Sequence, residues 1–360
     1  MFVKNCWYVA GWSHEIPKDG FLARTIVNVP LLFWRDNDDN VVVLEDRCCH
    51  RGAPLSMGRK EGECIRCMYH GLLFDKNGQC VGAPAQERIP PQAKVRTYPI
   101  VERHRWLWVW MGDPTLADES LIWDTQWLDH PEWRCEPGYL HYDCNYLLIA
   151  DNLLDFSHLP FVHPTTLGGS PDYAEVKPKV ERLEHGVRMT KWVYNTEAPA
   201  YSRKFGNYPP DAKVDRWMYY DFMIPGVLLM DTGMTPAGQG AANNMENSIK
   251  FRACQAITPE TENSTHYFFA QAHDFLIDQP EVTHSIYQSV ITAFEEDKNM
   301  IMAQQKNLAR DSEFKMVPFS IDAALGQFRW LINRMIQKEQ SADDQQPAAE
   351  AARKLVSGLR

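Results

Sequence analysis

Two short loops constrain this chain more than any other feature: "RCCHRGAPL", running from Arg47 to Leu55, and "CIRCMYHG", running from Cys64 to Gly71. The first offers Cys48, Cys49 and His50; the second offers Cys64, Cys67 and His70. Taken as Cys48-x-His50 and Cys67-x-x-His70, each loop brings one thiolate and one imidazole, with sixteen residues between His50 and Cys67. Two thiolates with two imidazoles suit tetrahedral zinc or an iron–sulfur cluster. Common zinc fingers group Cys with Cys and His with His, whereas both loops here are mixed. A lone buried Cys is usually a small hydrophobe, but two matched mixed loops flanked by Gly and Pro argue for a shared metal group. Cys64-x-x-Cys67 is an alternative pair. Cys49 and Cys64 are expected to be thiols that do not ligate.

A mixed set places two Cys on one iron and two His on the other, which is the Rieske [2Fe–2S] arrangement. Residues 1 to about 112 read as β-rich. "FLARTIVNVPLLFWRD" and "VVVLEDRCCH" are short β-branched or aromatic runs broken by Asn, Asp and Gly. "RHRWLWVWMGDP" alternates and then stops at Gly112 and Pro114, a natural domain edge. At 360 residues the chain has room for a second domain. Its 44% hydrophobic and 23% charged composition is that of a soluble globular protein. A net charge of −10 argues against nucleic acid as a partner. The start "MFVKNCWYVAGW" shows no apolar signal region, and no run of about 18 apolar residues suggests a membrane span. A cytoplasmic setting is expected, in which the nine cysteines are core residues or ligands rather than disulfides.

The second half carries "DNLLDFSHLPFVH", from Asp151 to His163. Read as a helix, Asp151, Asp155 and His158 share one face at i, i+4 and i+7. His163 lies off that face, but Pro160 bends or ends a helix, so a turn brings both imidazoles to one point. Leu153, Leu154, Phe156, Leu159 and Phe161 imply burial around the polar set, where charged groups pair or bind metal. Two His and one carboxylate form the non-haem Fe(II) triad. A local acid is one source of the carboxylate. The distant "ITAFEEDKNMIMAQQ", with Glu295, Glu296 and Asp297, is another, although such a run is most often a solvated helix face.

Cys48-x-His50 and Cys67-x-x-His70 followed by Asp151-x3-Asp155-x2-His158-x4-His163 resembles the oxygenase component of Rieske non-haem iron oxygenases. The likeness runs from "NCWYVAGW" to "IDAALGQFRWLINRM". Within that family the chain is similar to the vanillate O-demethylase and toluenesulfonate methyl-monooxygenase group; "RCCHRGAPL", "GRKEGECIRCMYHGL" and "HPTTLG" lean to the toluenesulfonate branch. The resemblance implies an α+β fold. An N-terminal all-β Rieske domain spans 1–115. A catalytic domain spans 116–340, with an antiparallel sheet wrapped around a long helix (helix-grip, START-like), and 341–360 form a polar tail. The segments "SIKFRACQAITPE" and "STHYFFAQAHDF" read as strands, and residues 280–310 and 321–339 as helices.

The resemblance also assigns roles. Cys48, His50, Cys67 and His70 hold the [2Fe–2S] cluster. His158, His163 and Asp297 hold one mononuclear Fe(II), a choice of Asp297 over Glu296 that spacing does not make. Asp155 is the acid that bridges an iron histidine to a cluster histidine of a neighbouring subunit in a head-to-tail homotrimer, and Asn152 lies near the iron. Position 49, commonly proline in the family, is Cys49 here. The chain lacks a Gly-rich dinucleotide fingerprint and a plant-type ferredoxin motif. Electrons from NADH are therefore expected through a separate flavin/iron–sulfur reductase, with O2 as co-substrate. The implied reaction hydroxylates a methyl or O-methyl group of an anionic aromatic acid such as 4-toluenesulfonate. Arg252 and Gln255 are candidate contacts to its acid group, with His266, Gln271 and His273 on the same strand-like segments. Vanillate-type O-demethylation, ring dioxygenation of an aryl acid, a non-catalytic Rieske electron carrier and a zinc protein are the competing readings.

Overall fold

The computed structural model describes residues 1–168, 171–206, 208–209, 211–239 and 248–357. The first domain is built from three small antiparallel sheets. Cys6–Trp12 pairs with Trp106–Met111, which pairs with Ile100–Arg103, so the chain's start is tied to the end of the domain. Leu22–Ile26, Val29–Arg35 and Val41–Glu45 form a second sheet. The first two of these are one continuous run in the sequence. They are split by Val27 and Asn28, both at positive φ, which is the backbone of a tight two-residue hairpin turn. Four short strands between Arg59 and Gly82 form the third sheet.

The second domain is a seven-stranded antiparallel sheet. Its spatial order is Gly138–Tyr142, Ser264–His273, Ile249–Thr261, Val227–Pro236, Lys213–Met223, Gly186–Glu197 and Lys179–Leu183. Side chains on a strand alternate between faces, and here both faces are covered. Cys254, Ala256, Phe268 and Ala270 point to one side, where they pack with Trp7, Trp12, Trp106, Trp108 and Trp110 of the first domain. Ala253, Ile257, Tyr267 and Phe269 point to the other, against Ile286, Val290 and Phe294 of the long helix Pro280–Arg310. The domains are also stitched by hydrogen bonds: Trp12 Nε1 donates to Gly138 O at 2.9 Å, and Thr258 Oγ1 donates to Val9 O at 2.7 Å. The all-β first domain and the antiparallel sheet around a long helix agree with the expected fold class.

One local expectation differs. The stretch from Asp151 to His163 is not one bent helix: Tyr146–Leu153 is α-helical, Phe156–His158 is a 3-10 turn, and Leu159–Val162 is a further short helix. Asp155 breaks the run because its carboxylate accepts from Ser157 N at 2.9 Å, the cap that starts the turn. The last helix is Ala323–Ser357, and residues 358–360 lie outside the described residues.

Candidate functional site: two metal centres and a cavity

The two N-terminal loops fold alike. Cys48 N donates to Ala53 O at 2.8 Å and Gly52 N to Cys48 O at 2.9 Å; Cys67 N donates to Leu72 O at 2.8 Å and Gly71 N to Cys67 O at 2.9 Å. Each loop closes through a glycine at positive φ, +71° at Gly52 and +77° at Gly71, which a side chain would strain. The outcome is that Cys48 and Cys67 are buried while His50 and His70 reach the surface. Their rings sit edge to face with centroids 4.6 Å apart. The Cys48 thiol hydrogen-bonds the Cys67 side chain. Burial first, and that contact after it, push its pKa up to about 11. Two adjacent buried sulfurs below two adjacent imidazoles fit a [2Fe–2S] group whose inner iron takes Cys and whose outer iron takes His. Cys49 is exposed and Cys64 begins the strand Cys64–Arg66; neither occupies the matched loop positions. All nine cysteines are free.

The second centre lies between the 3-10 turn and the long helix. The donor atoms of His158, His163 and Asp297 lie within 4.8 Å of one another. Asp297 Oδ1 is 3.1 Å from His163 Nε2 and 3.4 Å from His158 Nε2. The outer nitrogens settle the tautomers. His163 Nδ1 faces Glu296 Oε2 at 2.7 Å and His158 Nδ1 faces Asp155 O at 2.6 Å. Both outer partners are acceptors, so in the neutral rings both Nδ1 atoms carry the proton. Both Nε2 atoms then turn lone pairs toward a carboxylate that also offers only lone pairs. Buried His163 Nε2 has no hydrogen-bond donor to serve. Three convergent acceptors with outer atoms held by carboxylate and carbonyl could hold a metal ion. The electrostatics of the two rings differ. Burial works against a charged His163, but Asp297 and Glu296 outweigh it and raise its pKa; burial lowers that of His158.

The centre opens onto a cavity lined on one side by Asn152, Phe156, Leu159, Val290 and Phe294, and on the sheet side by Arg216, Met218, Thr232, Gln255 and Gln271. Asn152 Nδ2 donates to Asp297 Oδ1 at 2.9 Å, so it aims the carboxylate. Gln255 lines the cavity, its Oε1 accepting from Tyr267 at 2.6 Å. Arg252 does not. It is three residues away on the same strand, so it points to the opposite face, where it pairs with Asp231 and stacks on Trp127 and Trp133. His266 lies on the domain interface, bonded to Tyr139 and Thr25, and His273 is buried against Phe275 O and Thr283. Asp151 pairs with Arg329 on the last helix.

Sequence reasoning gave no site role to Glu296, Thr166 or Arg216. Glu296, taken as one of a solvated acidic run, accepts from both His163 and Thr166, whose Oγ1 donates to it at 2.8 Å. The choice of Asp297 had a periodic signal. Ile286, Val290, Ala293, Phe294, Asp297 and Ile301 are the buried stripe of the helix, and Asp297 is the one acid on it. Arg216 shows the same kind of misfit, a cation in step with the buried Val214, Met218 and Tyr220 along a strand.

Comparison with known proteins gives a consistent picture. Residues 6–99 match the Rieske [2Fe-2S] domain and residues 142–338 match the vanillate O-demethylase oxygenase C-terminal domain. The chain is 47% identical over 344 residues to the toluene-4-sulfonate monooxygenase system iron-sulfur subunit of Comamonas testosteroni, covering 94% of this chain and 98% of that protein. It is 36% identical to a vanillate O-demethylase oxygenase subunit of Pseudomonas sp., covering 98% and 100%. Crystal structures of dicamba monooxygenase superpose over 94% of this chain and 99% of theirs when bound to dicamba, with a TM-score of 0.85 and 32% identity. Another of these structures holds non-haem iron.

Proposed function

The chain belongs to the Rieske non-haem iron oxygenases of the vanillate O-demethylase type. From that premise we propose that it is the terminal oxygenase that hydroxylates a methyl or O-methyl group of a small anionic aromatic compound such as 4-toluenesulfonate. The observation that carries this reading is the acceptor-only set of His158, His163 and Asp297 opening onto a mostly apolar cavity. Cys48, His50, Cys67 and His70 would hold the cluster, and His158, His163 and Asp297 the iron. When bound, the cluster supplies single electrons and the iron supplies oxygen activation at a C–H bond. The protein's own side chains position and exclude. Glu296 and the Asp155 carbonyl fix the tautomers of the two histidines, and Asn152 holds Asp297. Phe156, Leu159, Met218, Val290 and Phe294 keep water from the ring of the substrate.

Electrons come from a separate reductase, in keeping with relatives that are subunits or components of larger systems. We infer a head-to-tail homotrimer in which Asp155 joins His158 to a cluster histidine of the neighbour. Both centres carry exposed apolar side chains that such a ring would cover: Met68 and Tyr69 beside His70, and Phe161 between the iron histidines. Among the described residues no helix is long and apolar enough to cross a membrane. A cytoplasmic setting suits the nine free cysteines.

The test is an anaerobic single turnover. Chemically reduced protein receives oxygen with 4-toluenesulfonate or vanillate, and products are read by mass spectrometry. A benzylic alcohol from the sulfonate is expected. Demethylated vanillate with formaldehyde would instead favour the demethylase reading, and a cis-diol would overturn both.

A further inference from the structure

Arg216 lies in the cavity wall with 4% of its surface exposed, yet no carboxylate among the described residues pairs with it. Its Nη1 donates to Gly168 O at 3.2 Å and its Nη2 reaches Leu167 O at 3.5 Å, while the buried Nε has no partner among the described residues. A guanidinium carries five N–H donors, so most of its hydrogen-bonding capacity is unspent. A buried cation in that state is costly unless an anion answers it.

A second buried cation deepens the deficit. Lys191, 7% exposed, donates to Tyr173 O, and its Nζ lies 3.9 Å from the centroid of the Tyr173 ring. The Arg216 guanidinium lies 4.6 Å from the centroid of the same ring. Burial, and after it the charge of Arg216, push the pKa of Lys191 down to about 8. Two positive groups thus share one aromatic ring, with Asp155 the one acid acting on Lys191, and of the two cations Arg216 is the one that lines the cavity, on its sheet side.

We propose that Arg216 is the residue that binds the acid group of the substrate, clamping a planar carboxylate or a sulfonate through its free N–H edge so that the opposite end of the ring faces His158, His163 and Asp297. This rests on the functional reading above and refines it: the preferred substrate is an aromatic ring that carries an anionic group for Arg216 and a methyl or methoxy carbon for the metal side. Arg252, on the far side of the sheet and already paired, takes no part.

Arg216 also touches the carbonyls of the loop that follows His163, so a merely structural role must be told apart from binding. Equilibrium binding to the iron-loaded protein without oxygen separates them. The probes are 4-toluenesulfonate and its neutral counterpart 4-toluenesulfonamide. The wild type is expected to prefer the sulfonate by about a hundredfold, and Arg216→Gln to lose that preference while holding the sulfonamide within about threefold. Arg216→Lys, which keeps the charge without the fork, should recover part of it. Equal loss of both ligands in Arg216→Gln, or loss of neither, overturns the proposal. Should that variant fail to fold, the wild-type ratio decides, and a ratio near one overturns it. Wild-type protein that oxidises neutral aryl methyl compounds but ignores the sulfonate overturns the clamp alone. Wild-type protein that oxidises no aryl methyl or methoxy compound overturns the functional reading beneath it.

Discussion

The two candidate metal centres of this chain are built on opposite plans. At the cluster loops, donors sit two or three residues apart, each loop closes on itself through main-chain bonds, and the two loops repeat one geometry. At the iron site, 133 residues separate His163 from the Glu296 that orients it, and 145 separate Asn152 from Asp297. The first centre leaves its histidines at the surface; the second buries His163 completely. The difference teaches where each site's precision comes from. The loops set their own donors, whereas the iron site borrows its geometry from the packing of a helix against a turn.

If the plans are independent, breaking one centre leaves the other standing. Cys67→Ser should abolish the cluster's colour and steady-state turnover while the protein still binds one Fe(II). Asp297→Ala should keep the colour, lose the mononuclear iron and equally lose turnover. Metal analysis with visible spectra checks both, and Cys64→Ser should change neither. Loss of both metals in either variant would show that the centres fold as one unit.

A link between the centres sharpens the comparison further. Asp155→Asn is expected to retain both metals yet lose coupled turnover, measured as product formed per oxygen consumed. Normal coupling would leave Asp155 as only the cap of the 156–158 turn. A smaller effect tests the borrowed geometry of the iron site. Glu296→Gln should weaken Fe(II) binding or activity about ten- to a hundredfold without altering the cluster spectrum.

The smallest effect concerns the interface that joins the two regions. His266 is bonded to Thr25 and Tyr139 and faces Arg24, His141 and Glu260. Burial, and then Arg24, push its pKa down from 6.5 to about 4. The unfolded chain therefore binds more protons in that window. Stability is full above about pH 6.5 and falls as pH drops toward 4. His266→Asn should flatten that acid decline in melting temperature. An unchanged slope would place the acid sensitivity elsewhere.

Much of this was legible in the residues. The spacing of Cys48, His50, Cys67 and His70 pointed to the cluster, and alternation along "SIKFRACQAITPE" and "STHYFFAQAHDF" marked real strands, Ile249–Thr261 and Ser264–His273. The expected helix over 280–310 is Pro280–Arg310. Other readings missed for identifiable reasons. Asp155 was placed on a helix face because spacing alone ignores its capping bond to Ser157. Arg252 and Gln255 were weighed alike, although strand parity sends them to opposite faces of the sheet.

By itself, the sequence determined the local chemistry: which residues could ligate metal, which runs alternate, and where turns interrupt them. These follow from the covalent spacing of neighbours and the periodicities of strand and helix. Only the tertiary structure decided which face of each strand meets the cavity, that Glu296 orients His163, and that Arg216 is buried with no carboxylate paired to it among the described residues. Those outcomes depend on how distant segments pack, and a buried charge declares itself only when everything that could have neutralised it is seen in place.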